Sequence, residues 1–303
     1  MTSSGTLRFG QTVCTVCLFV FWGCLIGLPQ TASAQQKRYR PLPDYVQLGR
    51  PDQEVGRKVL SEFRESGAGG SYYLEFQLRV LPRRGKERLV YGRLWESRID
   101  GDSVRRIELR SGAADDASVS LRLLVRGGTN PAMWRWTPDI PSVVDVLPGN
   151  ALFDPIGGTD LTAFDLQMPF LFWTDFEFEG VRKVRGRPAH AFLFYPPVDY
   201  AAWQPMLSGV RVYLDSQYNA LVQVEQIVDL GKVAKSMSVL DLKKIDDQWI
   251  VKNIDVRDEA SRNKTRFGVT GAALNEAFAG ALFSPGELPT AVGPPGEVTR
   301  IEP

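Results

Sequence analysis

The sequence predicts a mainly β (α+β) protein built on a single, strongly curved antiparallel sheet with a few helices. From Gly209 to Thr270, about five runs of alternating apolar and polar residues follow one another, separated by Asp-, Asn- and Gly-bearing turns. A second series of such runs lies between Tyr72 and Trp136. Strand and helix patterns do not alternate as βαβ units would require, and no repeat of fixed period occurs.

The chain begins with a segment that reads as a secretory signal. Arg8 supplies the positive start, Val13 to Leu28 the apolar stretch, and Ala32-Ser33-Ala34 a small-residue cleavage site. Residues 1–34 are therefore set apart from the fold. A rival reading makes Gly23-Cys24 a lipid-attachment site, against which stand the bulky Phe21 and Trp22. All three cysteines (Cys14, Cys17 and Cys24) fall inside this segment. The mature chain must then be stabilised by core burial, which its length permits. The whole sequence has 36 Lys and Arg against 35 Asp and Glu, so loss of Arg8 leaves a balanced chain. That balance argues against nucleic acid as a partner and against simple electrostatic membrane binding. The expected compartment is the periplasm.

Residues 35–49 are polar and proline-bearing, and read as a flexible lead. Pro51 to Ser66 reads as an amphipathic helix, with Asp52 and Glu54 in its first turn and Val55, Val59, Leu60 and Phe63 on one face. The clearest alternation follows: Tyr72, Leu74, Phe76, Leu78 and Val80 face one way, Tyr73, Glu75, Gln77 and Arg79 the other. Leu89–Ile99, Val104–Leu109, Val119–Val125 and Met133–Trp136 continue the sheet. With the later runs this gives about ten strands. Trp249 opens one of them and reads as a core residue. Between the two strand series lies an insertion, Pro138 to Gly180. There Gly157-Gly158-Thr159-Asp160 offers a helix cap, and Met168, Phe170, Leu171, Phe172, Trp173, Phe176 and Phe178 form a dense, mostly aromatic cluster. The folded domain is expected to span 50–284, with a proline- and glycine-rich disordered tail over 285–303.

Little in the sequence suggests catalysis. The single histidine, His190, lies within an apparent strand and reads as a packed residue. With no other His and no mature Cys, a metal site lacks its usual ligands, and no cofactor is expected. Gly67-Ala68-Gly69-Gly70 lacks the lysine of a phosphate loop. Glu177 and Glu179 share a strand face without marking an acid/base pair. A hydrolase using dispersed residues stays open as a minor reading.

Arg211-Val212-Tyr213-Leu214-Asp215, Gly231-Lys232-Val233-Ala234-Lys235, Asp247-Gln248-Trp249-Ile250 and the later Thr265 stand in an order that resembles the LolA-like outer-membrane lipoprotein-sorting family. The resemblance covers residues 150–285 well and 45–150 loosely. It implies a half-open barrel with helices over its mouth and an apolar cavity within. It also implies a non-enzymatic carrier whose ligand is a lipoprotein's acyl chains or a free lipid. The expected donor and acceptor are an inner-membrane transporter and an outer-membrane acceptor. Candidate cavity and lid residues are Tyr72, Leu74, Phe76, Leu78, Phe164, Met168, Phe170, Phe172 and Trp173. The family's lid-latching arginine maps equally onto Arg79, Arg93 or Arg122. An alternative function on the same scaffold is an RseB-like periplasmic sensor that regulates a membrane partner.

Overall fold

The computed structural model describes residues 50–65, 70–112, 118–245 and 247–302. The expected signal segment, its alternative attachment site at Cys24 and the lead at 35–49 lie outside the described residues. A helix, α1 (Gln53–Glu65), precedes β1 (Ser71–Leu81), β2 (Arg88–Ile99), β3 (Asp102–Ser111), β4 (Ser118–Arg126), β5 (Ala132–Trp136) and β6 (Asp145–Val146). An insertion carrying the short helix α2 (Ala163–Gln167) leads to β7 (Phe176–Val184) and β8 (Arg187–Phe194). Helix α3 (Val198–Trp203) then precedes β9 (Leu207–Asp215), β10 (Leu221–Val228), β11 (Lys232–Ile245), β12 (Gln248–Asp258) and β13 (Lys264–Glu276). A final short strand, β14 (Thr299–Arg300), pairs with β13.

The strands form one antiparallel sheet in the order β6-β5-β4-β3-β2-β1-β13-β12-β11-β10-β9-β8-β7. Two meanders are thus joined by β1 and β13, which pair along the full length of β1. Its end strands, β6 and β7, do not meet, and the insertion that links them in the chain crosses the concave face. This is a half-open barrel. Helix α1 covers the free edge at β7: the Gln53 amide donates to Phe178 O (2.9 Å) and accepts from Phe178 N (2.8 Å), as a neighbouring strand would.

Alternation along β1 sets the two faces. Tyr72, Leu74, Phe76 and Leu78 enter the main core on the concave side, joined by Leu94, Ile107, Leu123, Val212, Ile254, Phe267 and the insertion. Gly92 allows this packing, because a Cβ there would lie 2.1 Å from the Phe76 ring. The outer face is divided. Across the β7–β13 half it carries ion pairs, Arg211 with Glu179 (2.7 Å) and Arg266 with Asp255 (2.6 Å). Across β1–β5 it carries a second apolar core of Tyr73, Trp95, Val104, Leu124 and Trp136, with buried Arg106 and Arg122 beside it.

Part of the tail expected to be disordered packs against that second core. Leu288 is buried in it and the segment after β13 lies as a strap over the outer face, while Ile301, beyond the strap, is buried in the main core. Proline and glycine remove regular structure but do not prevent packing, and side chains supply the anchors. Arg106 donates to the carbonyls of Leu282 (3.3 Å), Glu287 (2.9 Å), Leu288 (3.1 Å) and Thr290. Arg122 reaches Pro289 O, pairs with Glu108 (2.9 Å) and lies 4.6 Å from the Trp136 ring.

Two local expectations also change. Trp249 is 38 % exposed: at the end of the β11–β12 hairpin it stands opposite Lys244, while its neighbour Ile250 is buried. The helix cap in the insertion is Thr162 rather than the Gly157–Asp160 stretch, where Gly157 and Gly158 take left-handed angles incompatible with a helix start.

Candidate functional site

The insertion forms the inner wall of the candidate site. Thr162 and Asp165 make a reciprocal capping box, which stops α2 from unravelling inside the protein. Met168, at φ 47°, ends the helix in the left-handed region, and Pro169 starts a separate 3₁₀ turn through Phe172. This break turns successive side chains inward. Phe164 lies against Phe153, Phe170 and Trp173, with ring centroids 4.7, 5.4 and 6.1 Å away.

Of the residues singled out from the sequence, Tyr72, Leu74, Phe76, Leu78, Phe164, Met168, Phe170 and Trp173 are buried in the main core. Phe172 is only partly buried and packs against its edge, with the Arg64 guanidinium 5.8 Å from its ring. Phe76 and Leu78 meet Ile156, Leu161 and Leu166 of the insertion around an apolar cavity of ≈ 20 Å³. That is room for about one water molecule. The interior is apolar and closed.

Polar ties hold it closed. Arg105, 1 % exposed, donates to Leu166 O (2.7 Å) and pairs with Glu96 (3.2 Å). Glu96 also accepts from Tyr72 and from Ser103 (2.7 Å), and burial raises its carboxyl above the ordinary range despite Arg105. Arg64 donates to Leu171 O (2.6 Å) and Trp173 O (3.2 Å). Asp165 is gripped from the sheet by Lys235 and by Gln226 (2.8 Å). The arginines that touch the insertion are therefore not those the resemblance suggested. Arg79 pairs with exposed Glu87, Arg93 shares the outer face with Trp95, and Arg122 serves the strap.

Sequence reasoning missed Arg64, Arg105, Asp165 and Lys235 as parts of the site. Thr162-x-x-Asp165 carried a readable capping signal. Arg105 and Arg106 are adjacent strand residues buried on opposite faces, so no periodicity distinguishes them from surface charges. Glu179 pairs with Arg211, and Glu177 accepts from Tyr195 (3.4 Å).

Comparison with known proteins places this architecture. A family model described as "Uncharacterized protein" matches residues 105–290, more than half of the chain, and the chain belongs to that family. Its fold is LolA-like. A DUF1329 family protein from Desulfovibrio piger superposes with a TM-score of 0.66 at 16 % identity, over 78 % of this chain and 98 % of that one. A putative outer membrane lipoprotein-sorting protein domain from Vibrio parahaemolyticus gives 0.63 at 14 %, over 78 % and 97 %. The LolA superfamily protein NE2245 from Nitrosomonas europaea gives 0.56 at 12 %, over 75 % and 96 %. These identities establish likeness of fold alone. A search of curated proteins returns no match.

Proposed function

We propose that this chain is a periplasmic carrier that takes acyl chains, of a lipoprotein or of a free lipid, into the interior between sheet and insertion without covalent chemistry. The observation that carries this reading is the insertion itself: a discrete apolar segment laid over a concave apolar sheet and tied down by a few side chains. An interior cavity of ≈ 20 Å³ is far below the roughly 300 Å³ or more of a ligand pocket, so loading requires the insertion to move outward. The acyl chain replaces the apolar contacts that are lost. Each buried methylene contributes about 0.8 kcal/mol, so partial burial of one chain offsets much of the cost of opening. The end of the sheet where β8 meets β9 and β10 meets β11 also presents exposed Val198, Trp203, Met206 and Leu230. Such a rim suits docking to an inner-membrane donor or an outer-membrane acceptor. The resemblance to lipoprotein-sorting proteins and the apparent secretory signal agree with this placement.

Native mass spectrometry of the protein purified from its own envelope is expected to reveal a retained lipid. Titration with a fluorescent fatty acid should saturate at about one ligand per chain. A delipidated, folded protein that binds neither fatty acid nor phospholipid would overturn the carrier reading.

A further inference from the structure

Beside the closed interior lies a second space, a cleft of ≈ 240 Å³ at the end of β10, β11 and β12. Its polar lining includes two glutamines, Gln204 and Gln226, and three charged residues, Asp160, Lys235 and Asp258. Thr159 lines both this cleft and the apolar cavity, so the two spaces adjoin at that residue. A polar site and an apolar interior thus share one wall. An amphiphile fits that juxtaposition: its head lies in the cleft and its tail enters beneath the insertion.

The charges select the head. Lys235 supplies the cleft's one cation among its lining residues, while Asp160 and Asp258 supply two carboxylates. A purely anionic head meets two like charges, and a purely cationic one meets a lysine. A head carrying both signs satisfies all three residues. Asp160 accepts from the Thr265 hydroxyl (2.7 Å) and Asp258 from Ser261 N (2.6 Å), so both carboxylates are held in place. We propose that this cleft is the headgroup site for a zwitterionic phospholipid of the phosphoethanolamine type, with phosphate at Lys235 and ammonium between Asp160 and Asp258. The inference rests on the carrier reading and names its ligand class.

The same site couples binding to opening. Lys235 lines the cleft, whereas its partner Asp165 is not among the lining residues. An incoming phosphate meets the ammonium group from the open side and competes with Asp165. Asp165 keeps its hydrogen bonds from Thr162 N (2.8 Å), Thr162 Oγ1 (2.8 Å) and Gln226 (2.8 Å), so no bare buried carboxylate results. The sheet loses its charged grip on α2 as the tail arrives.

The test compares tail-labelled phosphatidylethanolamine, phosphatidylglycerol and diacylglycerol, with identical tails, on the delipidated full chain. Phosphatidylethanolamine is expected to bind about tenfold or more tightly than either of the others. Glycerophosphoethanolamine, which has the head without the tails, should compete only weakly. Lys235→Gln should weaken both phospholipids relative to diacylglycerol, which reports any easier entry of the tail, and Asp258→Asn should narrow the preference for ethanolamine over glycerol. If Lys235→Gln fails to fold, the Asp258→Asn ratio decides. Equal binding of the three lipids overturns the headgroup site and leaves the carrier reading intact. Competition by glycerophosphoethanolamine as strong as by the lipid overturns the shared site, and no binding of any lipid overturns both readings.

Discussion

His190 lies in β8 with its ring 5.8 Å from Phe178, and its buried Nδ1 has no hydrogen-bond partner. Burial lowers its pKa, with the Asp215 charge opposing more weakly. The folded chain therefore holds fewer protons than the unfolded chain between the lowered value and the ordinary value near 6.5. The imidazole's stabilising contribution is full above about pH 6.5 and is lost as pH falls through the folded value. His190→Gln should flatten the fall in urea midpoint between about pH 7.5 and 5.5, since no other histidine titrates there. An unchanged slope in the variant would show that the ring is solvated in both states. The strand context of His190 was readable from the alternating pattern, and its neutrality follows from packing against Phe178. Trp249 shows the opposite outcome: its size suggested burial, but hairpin register placed it opposite Lys244.

At the scale of an element, the insertion is part of the main core. The sequence marks it by aromatic density and by the Pro169 break. The break resets which residues face inward, so Phe170 is 1 % exposed while Phe172 remains at the edge. Phe170→Ala is expected to cost about 3–5 kcal/mol, as for other fully buried aromatics. Phe172→Ala should cost less than half of that, because Phe172 loses mainly edge packing and its contact with Arg64. Urea unfolding of the two variants measures both values, and equal losses would contradict this packing. Composition thus marked the insertion as apolar, but not the ties that hold it. From the insertion, the apolar cavity is lined by Ile156, Leu161 and Leu166 rather than by the aromatic cluster. Lys235 and Arg105 occupy strand positions whose pattern is that of ordinary solvent-facing charges. Their roles depend on the distant Asp165 and Leu166, contacts that no local period encodes.

At the scale of the molecule, the sequence carried most of the strands, because each exposes alternation to direct reading. It did not carry β6 or β14, two residues each and defined only by their partners. The strap was missed for a related reason: its composition suits disorder, while its order comes from Arg106 and Arg122 in strands far away in sequence. Burial, and then the neighbouring Arg122, lowers the Arg106 guanidinium to about 10, so it stays charged at neutral pH. Replacing it by Met preserves apolar volume but strands carbonyls of residues 282–290 beneath the strap. Each stranded buried acceptor costs about 1–3 kcal/mol, so Arg106→Met should destabilise the protein by about 3 kcal/mol or more. The loss should be local in origin. Hydrogen exchange is expected to rise first in the strap and on the strands carrying Tyr73, Trp95 and Leu124, and to leave β9 and β10 protected. Ending the chain before Phe278 should uncover the same apolar face and increase binding of a hydrophobic dye. A truncated chain with wild-type stability and no added dye binding would show that the strap is an ornament on a self-sufficient sheet.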